Sequence, residues 1–302
     1  MAHDAPVAAR GRRNPNEPAM PCQSVFRCRA VTAALGALLL ATTTASSAQS
    51  PAGFRFADLD LRDPHLFVDA FGCRDITDTP LLGFSVNGTL QTRIQTDGDG
   101  DGSLDLSYLV EFLPLDTSQA SNLIDFGGAQ CSAPATGTTC TPVLASAVAG
   151  DAALGPPAAC LAALPGTLRP YTPALAVPTT PCFASPTGNL TLDLGGVPVT
   201  LRQVALSATF VGTPATELTN GLLRGFISET DADNTILPAS LPLIGGRPLS
   251  SLLPGGTGAC AAHSDKDVLD GVTGWWFYLN FPATRVSVSG PGPAIFGDGF
   301  EP

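Results

Sequence analysis

Apolar and polar residues alternate most strictly between positions 104 and 112. Leu104, Leu106, Tyr108, Val110 and Phe112 are interleaved with Asp105, Ser107, Leu109 and Glu111. A period of two predicts a strand with one buried and one mostly polar face. Leu190, Leu192 and Leu194 before Gly195-Gly196, and Val197, Val199 and Leu201 after it, predict a hairpin. Phe84-Ser85-Val86, Asn87-Gly88 and Thr89-Leu90 predict a second, because Asn-Gly accepts the positive φ of a type I′ turn. Further strands are expected at 204–210, 222–228, 275–281 and 286–288, with one short helical turn around Leu249–Leu253.

About eight to ten strands separated by Gly/Pro turns predict an all-β domain, an antiparallel β-sandwich of jelly-roll type. The 32 Gly and 28 Pro exclude a helical bundle or coiled coil. Residues 127–187 break the pattern: ten prolines, four cysteines, and Asp151 and Arg169 as the sole charges. Such a stretch predicts a long irregular insert pinned by disulfides rather than a regular sheet.

Residues 27–48 carry Arg27 and Arg29, an uncharged apolar run from Ala30 to Ala41, and Ser46-Ser47-Ala48. That order predicts a secretory signal cut after Ala48. Its apolar run of about 12 residues is short of the roughly 20 needed to cross a bilayer. Met20 stands just before the signal, so residues 1–19 read as a mis-assigned start. The expected mature chain is secreted, extracellular or periplasmic, with no membrane span. A single β-rich domain over 49–289 and a tail over 290–302 complete the expected organisation.

The whole chain has 15 basic and 26 acidic residues, a net −11. Removing 1–48 takes away five Arg and two acids, leaving a net −14. An acidic surface without a basic stripe excludes nucleic acid as a partner and favours cations. Cys22 and Cys28 leave with the signal; Cys73, Cys131, Cys140, Cys160, Cys182 and Cys260 remain. An even number in an exported chain predicts disulfides, and pairing neighbours first gives Cys131–Cys140, Cys160–Cys182 and Cys73–Cys260. No Cys-x-x-Cys pair supports a zinc site.

Candidate chemistry concentrates in Asp97-Gly-Asp99-Gly-Asp101-Gly-Ser103-Leu-Asp105. Oxygen ligands at alternate positions curl around one centre, glycine at the sixth permits the bend, and crowded carboxylates call for a cation. Ca2+ suits such a flexible all-oxygen cage, with Asp97, Asp99, Asp101, Ser103 and Asp105 as the metal-site residues. Tyr108 stands where an EF-hand has its bidentate glutamate, and both flanks read as strands. The nine residues resemble the Asp-x-Asp-x-Asp-Gly-x-x-Asp loops of FG-GAP propellers and thrombospondin type 3 repeats. The resemblance implies calcium in a loop; one copy does not carry over a propeller fold.

Asp231/Asp233/Asn234 and Asp265/Asp267/Asp270 are two weaker acidic clusters. His65 and His263 are the histidines beyond the signal, and a Cys73–Cys260 bridge would bring both near Asp265 and Asp267. No nucleophile elbow, zinc-protease helix, phosphate loop or dinucleotide fingerprint is present. Trp275-Trp276-Phe277-Tyr278 could stack on sugar, although an aromatic strand is more often core. The ending Asp298-Gly-Phe300-Glu301 resembles short tails of secreted proteins from Gram-negative bacteria. The sequence thus points to a secreted calcium-binding module whose partner is a glycan or cell-surface polymer. The alternative is a carboxylate-dependent polysaccharide hydrolase.

Overall fold

The structure is a computed structural model that describes residues 51–143, 148–155, 160–194 and 196–290. The expected export signal and nearly all of the tail lie outside the described residues. In chain order the first elements are β1 (Ala52–Phe56), β2 (Asp60–Asp63), β3 (Phe67–Asp69), β4 (Cys73–Asp75), helix α1 (Val86–Gln95) and β5 (Tyr108–Phe112). Then come β6 (Ser121–Cys131), β7 (Thr139–Pro142), β8 (Val148–Leu154), β9 (Cys182–Ala184), β10 (Gly188–Asp193) and β11 (Pro198–Val211). The last are β12 (Glu217–Ser228), the short helix α2 (Glu229–Asn234), a 3-10 turn (Leu249–Leu252), β13 (Asp267–Leu269) and β14 (Val272–Val288).

The all-β expectation holds, but the sandwich gives way to a closed eight-stranded barrel. Its staves run β1-β5-β6-β8-β9-β11-β12-β14 and return to β1, every neighbouring pair antiparallel. The seam is Gly53–Phe56 against Ala283–Val286, which joins the first strand to the last. Closure leaves no free edge among these staves, the same problem a sandwich solves by covering its edges.

Eight strands enclose a space that side chains can fill, so the interior is a core and not a channel. Aromatic rings fill it. Phe56 stacks on Phe281 at 4.0 Å between ring centroids and on Phe126 at 5.5 Å. Phe112 meets Phe183 edge-on at 5.0 Å and Phe210 at 5.5 Å.

The long strand β14 is buried on both faces. Trp275, Phe277, Leu279 and Phe281 join the interior, while Trp276 and Tyr278 face outward beside Leu222 and Phe226 of β12. Leu161, Ala163, Leu164 and Leu175, from the extended segment 160–181, cover that outer face. Polar clasps hold the segment down. Asn280 Nδ2 donates to Ala176 O and its Oδ1 accepts from Ala176 N, both at 2.8 Å, while Leu164 N donates to the Tyr278 hydroxyl at 3.1 Å.

All three expected disulfides are present: Cys73–Cys260, Cys131–Cys140 and Cys160–Cys182. The stretch 127–187, however, is not a separate irregular lobe. It supplies the end of β6, all of β7 and the staves β8 and β9, and among the described residues its longest irregular part is the strap 160–181. The hairpin from Leu190 to Leu201 forms as β10 against β11, and the expected turn near Leu249 is the 3-10 turn.

The Asn87-Gly88 hairpin does not form; α1 occupies its place. Ser85 Oγ caps the helix by accepting from Gly88 N, and Val86, Leu90 and Ile94 bury one face at a spacing of four. Asn87, buried, donates Nδ2 to Leu61 O at 3.0 Å and to Asp78 Oδ1 at 2.8 Å, and accepts Leu61 N–H at 2.8 Å. Those three bonds replace the turn role that its sequence context suggests. Among the described residues no helix is long and apolar enough to cross a membrane.

Candidate functional site

The acidic loop leaves the C-terminus of α1 and is clasped to the β6–β7 hairpin. The entering flank is therefore helix rather than strand, and β5 begins only at Tyr108. Leu104 N donates to Cys131 O at 2.9 Å, Ala133 N to Gly102 O at 2.9 Å, and Asp105 N to Thr96 O at 2.9 Å. The Cys131–Cys140 disulfide thus braces the hairpin against which the loop is built.

Within the loop, Asp97, Asp99 and Asp105 each bring a carboxylate oxygen to within 4.8 Å of the others. Ligands about 2.3–2.6 Å from a calcium ion lie at most roughly 5 Å apart across it, so the spacing suits a shared centre. Asp101 and Ser103 are not part of that triad. Asp101 Oδ1 accepts from Ser103 N at 2.7 Å, and Ser103 Oγ accepts from Gln130 Nε2 at 3.2 Å.

The loop also neutralises itself in part. Asp97 accepts from Gly100 N at 2.7 Å, Asp101 N at 3.1 Å and Gly102 N at 2.9 Å. Desolvation raises the Asp97 pKa, but these N–H bonds outweigh it and hold the carboxyl below the usual carboxylate range. Asp105 Oδ1 accepts from Gly98 N at 2.8 Å. The glycines at 100 and 102 have φ of +77° and +88°, conformations that a side chain at either would strain. A groove of about 390 Å³ runs beside the loop, with Asp99, Asp105, Tyr108, Gln130, Thr191 and Asp193 in its walls.

A second polar cluster lies by the Cys73–Cys260 bridge, as the histidine positions predict. His65, buried, donates Nδ1–H to Asp75 Oδ2 at 2.6 Å, and its ring stacks on Tyr171 at 3.9 Å. The Tyr171 hydroxyl donates to Asp265 Oδ2 at 2.5 Å and accepts from His263 Nε2 at 2.8 Å. Arg169 Nε lies 3.0 Å from Asp265 Oδ1, close enough to pair but outside hydrogen-bonding angles. Arg169 N donates to Asp63 Oδ2 at 2.7 Å.

Burial raises the Tyr171 pKa further above the ordinary tyrosine value, and its bond to Asp265 adds to the rise. Burial would raise Asp75 too, but hydrogen bonds from His65 and Thr77 outweigh it and keep that carboxyl low. Asp63 is pushed up to about 7 by burial, against the Arg169 N–H bond and with help from the Asp265 charge. These groups mostly satisfy one another. They form a latch that fixes the strap to the barrel; His65 Nε2, 3.9 Å from Asp78 Oδ2, is buried without a hydrogen bond, as are that Asp78 oxygen and Asp265 Oδ1.

No protein-family model, curated protein or solved structure matches this chain. Its chemistry is read from its own geometry.

The other sequence candidates are placed as follows. Asp231 binds Arg202 NH2 at 2.7 Å and exchanges hydrogen bonds with Ser228 as the cap of α2. Asp270 and Gly271, with φ of +50° and +80°, form the two-residue turn between β13 and β14. Lys266, the sole lysine, pairs with Glu229 at 2.5 Å. Trp275 is fully buried, donating Nε1–H to Pro254 O at 3.0 Å, and Trp276 is buried beneath the strap, so neither offers a sugar-stacking face. Sequence reasoning missed Tyr171, Arg169, Asp63 and Asp75. The signal was one tyrosine and one arginine in a long segment nearly without charge.

Proposed function

We propose that the protein is an exported, disulfide-stapled β-barrel binding module whose acidic loop holds a calcium ion beside a ligand groove. The observation that carries this reading is the convergence of Asp97, Asp99 and Asp105 within 4.8 Å on a loop braced by a disulfide hairpin. Ser103, at the seventh position, would add its backbone carbonyl as such loops do, and Asp101, whose carboxylate accepts from Ser103 N, would join through water. The ion would fix the wall of the adjacent groove, whose amide, hydroxyl and carboxylate groups suit a polyhydroxylated glycan or cell-surface polymer. The carboxylate-dependent hydrolase has no comparable support, because the aromatic residues that would cradle its substrate are buried.

Thermal unfolding with calcium tests the proposal. At 100 times Kd the ion adds about 2.7 kcal/mol, which raises Tm by roughly 5–10 °C in a domain of this size. Asp99→Ala should abolish the rise and leave the calcium-free Tm nearly unchanged. No shift at millimolar calcium, or an equal shift in the variant, removes the ion.

A further inference from the structure

Glu111 on β5 and Asp125 on β6 stand directly opposite one another in the antiparallel ladder. Val110, Phe112, Ile124 and Phe126 on either side of them fill the barrel interior, so period two turns both acids to the outside of the wall. Side chains so placed have Cβ atoms about 4.5–5.5 Å apart, and like charges there are destabilising. The pair is nevertheless sealed from solvent: Glu111 is 2% exposed and Asp125 8%.

Among the described residues nothing answers these charges. Both oxygens of Glu111 and Oδ1 of Asp125 are buried without a hydrogen-bond partner, and no base pairs with either carboxylate. The flanking strands place Gly53 opposite Glu111 and Ala149 opposite Asp125, and neither carries a charge. Arg55, further along β1, turns its guanidinium to Ile94 O and Ala135 O instead. Burial lifts both carboxyls above the usual carboxylate range; the Asp125 charge adds to the rise at Glu111, and the Phe126 N–H opposes it at Asp125. Two carboxylates desolvated side by side are costly unless a cation lies between them.

Glu111 and Asp125 share a cavity of about 10 Å³, walled otherwise by Leu109, Gly127, Gly128, Pro142 and Val143. That is room for one particle the size of a water molecule. The residues that line it carry three unpartnered oxygens, all hard donors, and no side-chain nitrogen or sulfur, which sets zinc aside. One divalent ion cancels the charge of two carboxylates. Calcium takes about six to eight oxygens at roughly 2.3–2.6 Å; so few donors around so small a space suit an ion with bonds of about 2.0–2.1 Å. We propose that Glu111 and Asp125 hold a divalent cation of magnesium or manganese size, which ties β5 to β6 on the outer wall. Val143 N donates to Gly128 O at 2.9 Å, and both residues also line the groove beside the acidic loop. Neither Glu111 nor Asp125 belongs to the acidic-loop triad, so the two ion sites stand or fall separately.

Electron paramagnetic resonance of added Mn2+ tests the proposal, in a full-length Asp99→Ala background that disables the acidic loop. A single Mn2+ should bind per chain, and Mg2+ should displace it more readily than Ca2+ does. Glu111→Gln and Asp125→Asn, each in that background, should weaken Mn2+ by about tenfold or more. In EDTA each variant should melt at or above the Tm of the background protein, because each removes a buried and opposed charge. A carboxylate with a merely structural role would instead lower Tm when replaced. No Mn2+ bound at millimolar ion would overturn the proposal and leave the pair sharing a proton. So would unchanged binding in both variants, a lower Tm of both in EDTA, or displacement by Ca2+ as readily as by Mg2+. The calcium shift of the parent protein is measured apart from this titration, so failure of either ion site is visible without the other.

Discussion

Asp63 makes the fold sensitive to pH in a direction that can be worked out. It is buried at the end of β2, accepts the Arg169 N–H from the strap, and faces Asp265, Asp267 and His65. Burial, opposed by that N–H bond and reinforced by Asp265, raises its pKa from 3.8 to about 7. Between those values the folded chain keeps a proton that the unfolded chain releases. Stability therefore falls as pH rises from about 4 to about 7 and levels off above. The shift corresponds to a ceiling of about 4 kcal/mol at pH 8. Asp63→Asn keeps the size and an acceptor oxygen for Arg169, and carries no proton to lose. Urea unfolding in EGTA should find the two proteins similar at pH 4 and the variant more stable at pH 8, by up to about 4 kcal/mol. The difference between the two profiles isolates Asp63 from the other buried carboxyls, Glu111 and Asp125 among them, which burial also raises. A variant with the parent's pH slope, or one less stable than the parent at pH 8, would refute the reasoning.

Two further outcomes test the architecture. Phe281→Ala removes a ring stacked on Phe56 at 4.0 Å in the barrel interior and should cost about 3–5 kcal/mol in chemical denaturation; a loss below 1 kcal/mol would mean the interior is not packed as described. Replacing Cys160 and Cys182 with alanine opens a loop of 22 residues and should cost about 3 kcal/mol, with new protease cuts appearing in the strap; an uncut strap would show that its polar clasps suffice alone.

Much of the barrel was legible because its staves follow period two where one face is polar, as in β10 and the first half of β11. The run from Trp275 to Phe281, broken only by Asn280, reads as apolar on both parities because the strap buries its second face. β8 was hidden for a different reason. Its inward parity falls on Val148, Gly150, Ala152 and Leu154, and small residues at two of these give little contrast with their neighbours. The helix α1 was masked by Asn87-Gly88, a strong local turn signal overruled by the long-range bonds of Asn87 to Leu61 and Asp78. Val86, Leu90 and Ile94, four apart, carried the competing helical signal. Closure depends on pairings between residues more than 200 positions apart, which no local pattern encodes. At the acidic loop the spacing found the three converging carboxylates. It could not tell them from Asp101, whose oxygen turns back to its own backbone.

The seam between Gly53 and Val286 sets the order of events in assembly. A ring whose first and last members must meet stays open until almost all of the polypeptide has been delivered, with two raw margins ready to stick to other chains. The Cys73–Cys260 link waits for the same moment. A polypeptide delivered gradually from one end cannot finish this shape early, so its half-made intermediates are the species that a chaperone or an oxidising catalyst would have to recognise.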